Sequence, residues 1–281
     1  MCLELEDTDA LCGRALQYYE GDGVAEDYAE AFRLFTLAAE RGNSIAQRFV
    51  GLMCSSGKGT DENLRMAAEW FRLAAEQGDA DAQCELGDVY TYGIGAPQDY
   101  REAVKWYRIA AELGFADAQC NLGGMYSNGR GVLKDEAEAV KWYRLAAEQD
   151  NPVAQRFLGL AYKSGKGVAI DLIEALQWLV AAAALDDGAA LYYIGLLYKQ
   201  GEGVTQNMDE AIKWFRLAAD EGDEKALYSL GFIYEFGDGV RQDYAEAMDW
   251  YRMAAEHGSA DAQFRLELMC QNGTGEGQRL L

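Results

Sequence analysis

The groups in this 281-residue chain from which acid–base, nucleophilic or metal chemistry could be built are one histidine, six cysteines and 47 carboxylates. With His257 alone, a multi-histidine metal site cannot be assembled and a histidine-dependent triad has no second candidate. The cysteines stand at 2, 12, 54, 84, 120 and 270, with no C-x-x-C and no short spacing. That pattern fits reduced, structural thiols that folding does not require. One loop, Ser55-Ser56-Gly57-Lys58-Gly59-Thr60, has the look of a phosphate cradle made of backbone amides and a lysine. Its lysine is followed by Gly59 instead of Ser or Thr and no strand precedes it, so it reads as an interhelix turn. No cofactor and no metal are expected.

Charge narrows the partners. The 47 acidic and 25 basic side chains give a net charge of -22, which repels phosphate backbones and anionic headgroups. Nucleic acid is therefore excluded as an expected partner. Membrane insertion is excluded as well, because no apolar run approaches the roughly 18 residues a spanning helix needs. The opening stretch, MCLELEDTDALCGRALQYYE, lacks the basic start and apolar core of a secretion signal. The expectation is a cytoplasmic chain, with a periplasmic or secreted location as the alternative had a leader been removed.

What positions these groups is a repeat. A Gly-x-Gly pair begins at Gly21, Gly57, Gly93, Gly129, Gly165, Gly201, Gly237 and Gly273, a spacing of 36 residues throughout. All six tryptophans, Trp70, Trp106, Trp142, Trp178, Trp214 and Trp250, obey the same spacing, with Leu34 in the first repeat. Two helical patterns lie between glycine pairs. The first, A-x-x-x-L-G-x-x-Y, is carried by Ala82, Leu86, Gly87 and Tyr90; its apolar residues fall on one helix face. The second, E-A-x-x-W-[FY]-x-x-A-A, is carried by Glu102, Ala103, Trp106, Tyr107, Ala110 and Ala111.

The punctuation agrees. Each second helix opens on Asp27, Asn63, Asp99, Asp135, Asp171, Asn207 or Asp243, followed in all but one repeat by Glu three residues on; the exception is Met66. That arrangement predicts a reciprocal capping box. Each second helix should close on a left-handed residue at Gly42, Gly78, Gly114, Asp150, Asp186, Gly222 or Gly258. The surface carboxylates are read as caps or as i,i+4 partners, as in Arg108 with Glu112, Arg144 with Glu148 and Arg252 with Glu256. His257 falls in a last helical turn, where a cation suits the dipole. Seven full pairs run over about 7–258, a lone capping helix over 259–272 and a tail over 273–281, in one domain spanning 1–281. Such pairs bury their apolar faces only by stacking, which makes the chain an all-α solenoid. Gly at the column of Gly87 lets helices approach closely, Trp106 and its equivalents fill the space between, and the column turns to Glu267 where no partner helix follows.

These motifs together, A-x-x-x-L-G-x-x-Y, G-x-G-V, the Asx cap, E-A-x-x-W-[FY] and A-A-E-x-G, resemble the Sel-one-like repeat, a branch of the tetratricopeptide-like helical repeats. The resemblance implies an α/α right-handed superhelix, mostly bacterial, that acts as an adaptor or scaffold for other proteins. It also implies two alternatives: a secreted or periplasmic host-interaction factor, and an enzyme of the cysteine-rich branch associated with penicillin binding. The second needs regularly paired cysteines, which this sequence lacks.

A ligand is sought in the columns that vary, since a column repeated everywhere answers to the scaffold. By analogy with tetratricopeptide packing, the columns of residues 81, 84, 88, 91 and 92 on the first helices face a concave surface. In the N-terminal half they hold a mixture that includes Arg48, Leu52, Cys84, Asp88, Cys120 and Gly124. From the fifth repeat they become aromatic and basic, and the predicted protein-binding residues are Arg156, Lys163, Tyr192, Leu196, Lys199, Tyr228, Phe232, Phe236, Phe264 and Leu268. A second candidate is the apolar stretch Trp178 to Leu185, where Val180 replaces the usual Arg and Ala184 the usual acid. The expected function is a non-enzymatic scaffold that binds a peptide or partner protein, of unspecified oligomeric state.

Overall fold

The computed structural model describes residues 7–272, and among these every regular element is an α-helix. The first helices of the pairs are α1 (Thr8–Glu20), α3 (Ser44–Ser56), α5 (Ala80–Tyr92), α7 (Ala116–Asn128), α9 (Pro152–Ser164), α11 (Gly188–Gln200), α13 (Glu224–Phe236) and the lone α15 (Ala260–Gln271). The second helices are α2 (Tyr28–Glu40), α4 (Leu64–Glu76), α6 (Tyr100–Glu112), α8 (Glu136–Ala147), α10 (Leu172–Ala184), α12 (Met208–Asp220) and α14 (Tyr244–Glu256). Contacts divide the chain into two compact units, Met1–Ala146 and Ala147–Leu281. Gly273, Cys2 and the tail 273–281 lie outside the described residues.

Both ends of each second helix are fixed as the sequence indicates. The side chains of the seven Asx caps accept the amide three residues on at 3.0–3.2 Å. At the other end Asp150 and Asp186 take the left-handed conformation, with φ 61° and 62°, as the glycines of the same column do.

The reciprocal half of the capping box is absent. The backbone amide of every cap donates instead to a carbonyl of the preceding first helix, nine residues earlier, as in Asp99 to Tyr90 (2.9 Å) and Asp243 to Tyr234 (2.9 Å). Seven such latches, 2.8–3.1 Å long, tie each second helix to its first. Their glutamates are free to turn outward. Glu30, Glu102, Glu138 and Glu210 pair with the Arg or Lys three residues on. Two of the expected i,i+4 pairs give way to other bonds: Arg108 donates to the Tyr126 hydroxyl at 2.8 Å, and Arg252 to Asp249.

Close approach rests on glycine, but the aromatic that uses it is not the tryptophan. The residue after each tryptophan is buried, while the tryptophan itself is half-buried. A Cβ at Gly87 would stand 2.4 Å from the Tyr107 ring, and one at Gly231 would stand 2.6 Å from Tyr251. Leu179 plays the part of that ring against Gly159. The first repeat has Ala15 in the glycine column, itself fully buried in the core that contains Phe35.

In the loops at Gly59, Gly95, Gly131 and Gly203 the second glycine seats one repeat on the last. A Cβ on Gly95 would lie 2.1 Å from the Leu64 carbonyl oxygen at the start of α4, and its φ is 83°. No L-residue with a side chain fits there. Buried glutamines add a further tie: Gln47, Gln83, Gln119 and Gln155 donate to the carbonyls of Ala39, Ala75, Ala111 and Ala147 at 3.1–3.2 Å. They satisfy acceptors near the ends of the preceding second helices.

Candidate partner-binding columns

All ten residues singled out from the sequence lie in the second unit, on α9, α11, α13 and α15. Their surroundings sort them into three groups. Arg156 is a bracket between repeats: its Nε donates to both carboxylate oxygens of Asp187 at 2.9 Å, and its guanidinium lies 4.6 Å from the Phe157 ring centre. Asp187 is at once the cap of α11, accepting the Ala190 amide at 3.0 Å. Arg48 does the same for Asp79, the cap of α5, in the first unit. The two arginines are thus held by neutralised carboxylates, because an acidic cap one repeat on is the nearest partner.

Tyr192, Leu196 and Tyr228 form the second group. They are half-buried and pack against the core of the second unit. The Tyr192 ring centre is 5.7 Å from that of Phe215, and Tyr228 is 5.4 Å from Tyr251. Burial raises the Tyr192 hydroxyl above its ordinary pKa, opposed by a bond with Ser229. These rings present edges and hydroxyls, with their faces committed to the scaffold.

The third group is a cluster. Phe232 and Phe236 stand 4.5 Å apart between centroids. The Lys199 ammonium lies 5.5 Å from the Phe232 ring, and the Arg265 guanidinium lies 5.8 Å from Phe232 and 5.6 Å from Phe236. Cations at such distances are held by the ring faces. Phe236 is 52% exposed and Phe264, on α15, is 65% exposed; Leu268 is half-buried. Lys199 also reaches Asp238 at 3.0 Å, and Lys163 reaches Glu202 at 3.1 Å and Gln200 at 3.3 Å. Each lysine therefore meets an acid in the loop of the following repeat.

Arg265 was not among the residues singled out, although its column varies as theirs do, from Phe49 and Glu85 to Phe157 and Ser229. It is held by the Tyr228 hydroxyl, which raises its pKa, and by Glu235 at 3.6 Å. Glu235 in turn accepts the Tyr251 hydroxyl at 2.7 Å. The equivalent place in the first unit is built differently. There Tyr107 donates to Asp88 at 2.5 Å, Thr91 lies 3.1 Å from the same hydroxyl, and Asn121 approaches Asp88 at 3.4 Å. No cation joins Asp88 there among the described residues. Burial, with Asp117 adding to it, raises the Asp88 carboxyl above its usual range despite the bond from Tyr107.

Cys12, Cys54, Cys84 and Cys120 are buried, Cys270 is exposed, and no disulfide joins any two of these five. Burial raises the pKa of Cys84 far above that of an ordinary thiol, and raises those of Cys12 and Cys54 as well. These three thiols stay protonated, unlike nucleophilic cysteines. Among the described residues no group of three or more His, Cys, Asp or Glu is placed to hold a metal ion, and no helix is long and apolar enough to cross a membrane. The other candidate, on α10, shows Val180 at 42% exposure with Ala184 and Leu185 also exposed.

Comparison with known proteins gives the following. The Sel1 repeat model matches residues 8–43, 44–79, 80–115, 116–151, 152–187, 188–223 and 224–259. No curated protein matches the chain. Among solved structures, it is similar to c5321 of Escherichia coli, described as a protective antigen of uropathogenic strains with an SLR fold, at 34% identity and a TM-score of 0.80. That match covers 96% of this chain but only 58% of the other. A Sel1 repeat protein from Oxalobacter formigenes is similar at 32% identity and a TM-score of 0.80, over 87% of this chain and 96% of that one.

Proposed function

This chain belongs to the Sel1 repeat family, whose members generally mediate protein–protein interaction and are typically non-enzymatic, and we propose that it is a scaffold holding a peptide or partner protein on the first-helix columns of its second unit. The observation that carries this reading is the exposed Phe236 packed beside Phe232, with Lys199 and Arg265 at the rings, and a further exposed ring, Phe264, on the next first helix. Large rigid rings supply contact area with few rotors to freeze, and they dominate interface energies. The same columns in the first unit hold Cys84, Asp88, Cys120 and Gly124, with a single exposed ring, Tyr92, in the column of Phe236. Tyr228 and Leu196 would form the floor against which an apolar anchor rests.

Because Lys163 and Lys199 already face Glu202 and Asp238, an incoming carboxylate would have to share or displace those loop acids. Apolar anchors therefore carry the affinity and the cations set the orientation. The test is to identify a partner by capture from the source cell and then titrate the purified partner against wild type and Phe236→Ala/Phe264→Ala. Both rings are exposed, so helical content should be unchanged. Binding should weaken by about 2–4 kcal/mol if both are central anchors. Equal binding by the double variant would place the contact elsewhere, with the Val180 face of α10 the next to mutate.

A further inference from the structure

In the first unit, the joint between the second and third repeats forms a cavity of about 430 Å³ that is open to solvent on one side, a size ordinary for small-ligand sites. Its existence traces to two positions. Ala68 stands in a column that elsewhere holds Phe32, Val104, Val140, Leu176, Ile212 and Met248. Ala96 stands where five of the other six repeats have Val and one has Thr60. Both truncations fall on the same cavity, whose floor is Leu86 and whose wall is the half-buried Tyr90.

The rim is basic in a strongly acidic chain. Arg65 and Arg72 of α4 line it together with Glu69. Arg65 sits 3.5 Å from Glu69, both largely exposed. Arg72 makes no hydrogen bond or ion pair with any described residue, and the Tyr90 hydroxyl is likewise without a partner among them. At two sister joints the arginine of this column is engaged. One repeat on, Arg108 donates to the Tyr126 hydroxyl at 2.8 Å and lies over its ring. In the second unit, Arg216 donates to the Tyr234 hydroxyl at 2.7 Å and to Glu246 at 3.2 Å. Those two joints spend their arginine internally. The joint with the cavity does not.

We propose that this cavity is a binding site for a carboxylate carried on a small apolar body, either a free aryl or branched-chain acid or the C-terminal residue of a peptide chain. The apolar body would occupy the volume that Val and a larger aliphatic side chain take in the sister joints. Its carboxylate would meet the Arg72 guanidinium, whose planar donors match a carboxylate, with Arg65 and the Tyr90 hydroxyl as further donors. Glu69 opposes the bound charge, so two arginines against one acid leave the rim with a single net positive charge. The site shares no residue with the aromatic columns of the second unit and does not depend on their role.

The test is an NMR titration of the full chain with 3-phenylpropionate and with acetyl-Gly-Gly-Phe, each beside its primary amide. Wild type should bind at least one acid, and the matching amide about tenfold more weakly or worse, the loss of one charge-assisted contact. Arg72→Gln should weaken the acid by a similar factor. Ala68→Val/Ala96→Val, which restores what the sister columns hold, should abolish binding with a melting temperature at or above that of wild type. A peptide preferred about tenfold over the free acid identifies a chain terminus as the source, and the reverse preference a small acid. The proposal is overturned if wild type binds neither acid at millimolar concentration, if acid and amide bind alike, or if folded Ala68→Val/Ala96→Val binds as wild type does. Should that double variant fail to fold, an Arg72→Gln affinity equal to wild type overturns it.

Discussion

The two units carry the same scaffold under different surfaces. In both, a glycine admits a ring from the second helix, an Asx side chain opens that helix, and an arginine brackets the next cap, Arg48 to Asp79 in one and Arg156 to Asp187 in the other. Beneath the ring, however, the units diverge. The first places a half-buried acid, Asp88, with only neutral donors around it. The second places Glu235 with Arg265 and covers the region with Phe232 and Phe236. The difference shows that contacts within a helix pair fix the repeat, whereas the outward columns of the first helix are free to diversify.

The largest expected effects are those that should be alike in both units. Gly87→Ala and Gly231→Ala each force a Cβ into a buried ring, at 2.4 and 2.6 Å, and overpacking of that kind costs about 1–3 kcal/mol. Urea unfolding followed by far-ultraviolet dichroism measures it. A loss confined to one of the two variants would break the claim of a common scaffold.

A smaller effect should have opposite signs. Asp88→Asn keeps an acceptor for the Tyr107 hydroxyl and removes a poorly compensated charge, so stability at neutral pH should rise, by about 1 kcal/mol or less. Glu235→Gln instead strips Arg265 of its carboxylate and should lose about 1 kcal/mol. The pH dependence sharpens this. With its folded pKa raised above the ordinary 3.8, Asp88 binds more proton in the folded state, so its contribution is full below that value and is lost as pH rises through the folded pKa. Thermal melts across that acid range should show a shallower decline for Asp88→Asn. Glu85, whose carboxyl pKa burial also raises, remains nearby and keeps part of the slope.

The smallest effect concerns the helix ends. Five second helices close on Gly42, Gly78, Gly114, Gly222 and Gly258, whereas Asp150 and Asp186 serve at the two between them. Left-handed backbone costs an ordinary L-residue roughly 1–2 kcal/mol, and the greater freedom of glycine in the unfolded chain returns about 0.5–1 of that. Asp150→Gly and Asp186→Gly should each gain about 0.5 kcal/mol, seen as a small upward shift in melting temperature. No gain at either would mean that the aspartates are held without strain.

The helices, caps and left-handed ends were legible in the sequence because each is a local signal repeated at one spacing. What was not legible depended on contacts between helices. Periodicity marks Trp106 and Tyr107 alike as apolar, yet only the packing of α5 on α6 decides that Tyr107 faces Gly87. The capping box failed for the same reason. A carbonyl delivered from the preceding helix reached the cap amide, and Lys105 or its equivalents took the glutamate. Among the candidate columns, sequence variation singled out Phe232, Phe236 and Lys199, which the fold brings together, but could not show that Arg156 would be drawn to the cap of the following helix. Nor could it flag the cavity, since two alanines in helical and loop positions read as ordinary small residues until Leu86, Tyr90 and Arg72 surround them.

The seven latches from cap amide to first-helix carbonyl have a consequence for how such a chain can change over time. Each loop is pinned nine residues apart, and at Gly59, Gly95, Gly131 and Gly203 its second glycine is pressed on the backbone of the previous pair. An inserted or deleted loop residue would unhook one anchor or the other. Duplication or loss of a whole 36-residue block leaves every anchor with its proper mate. Copy number is thus the dimension in which this architecture can be lengthened or shortened without rebuilding, while loop length stays fixed.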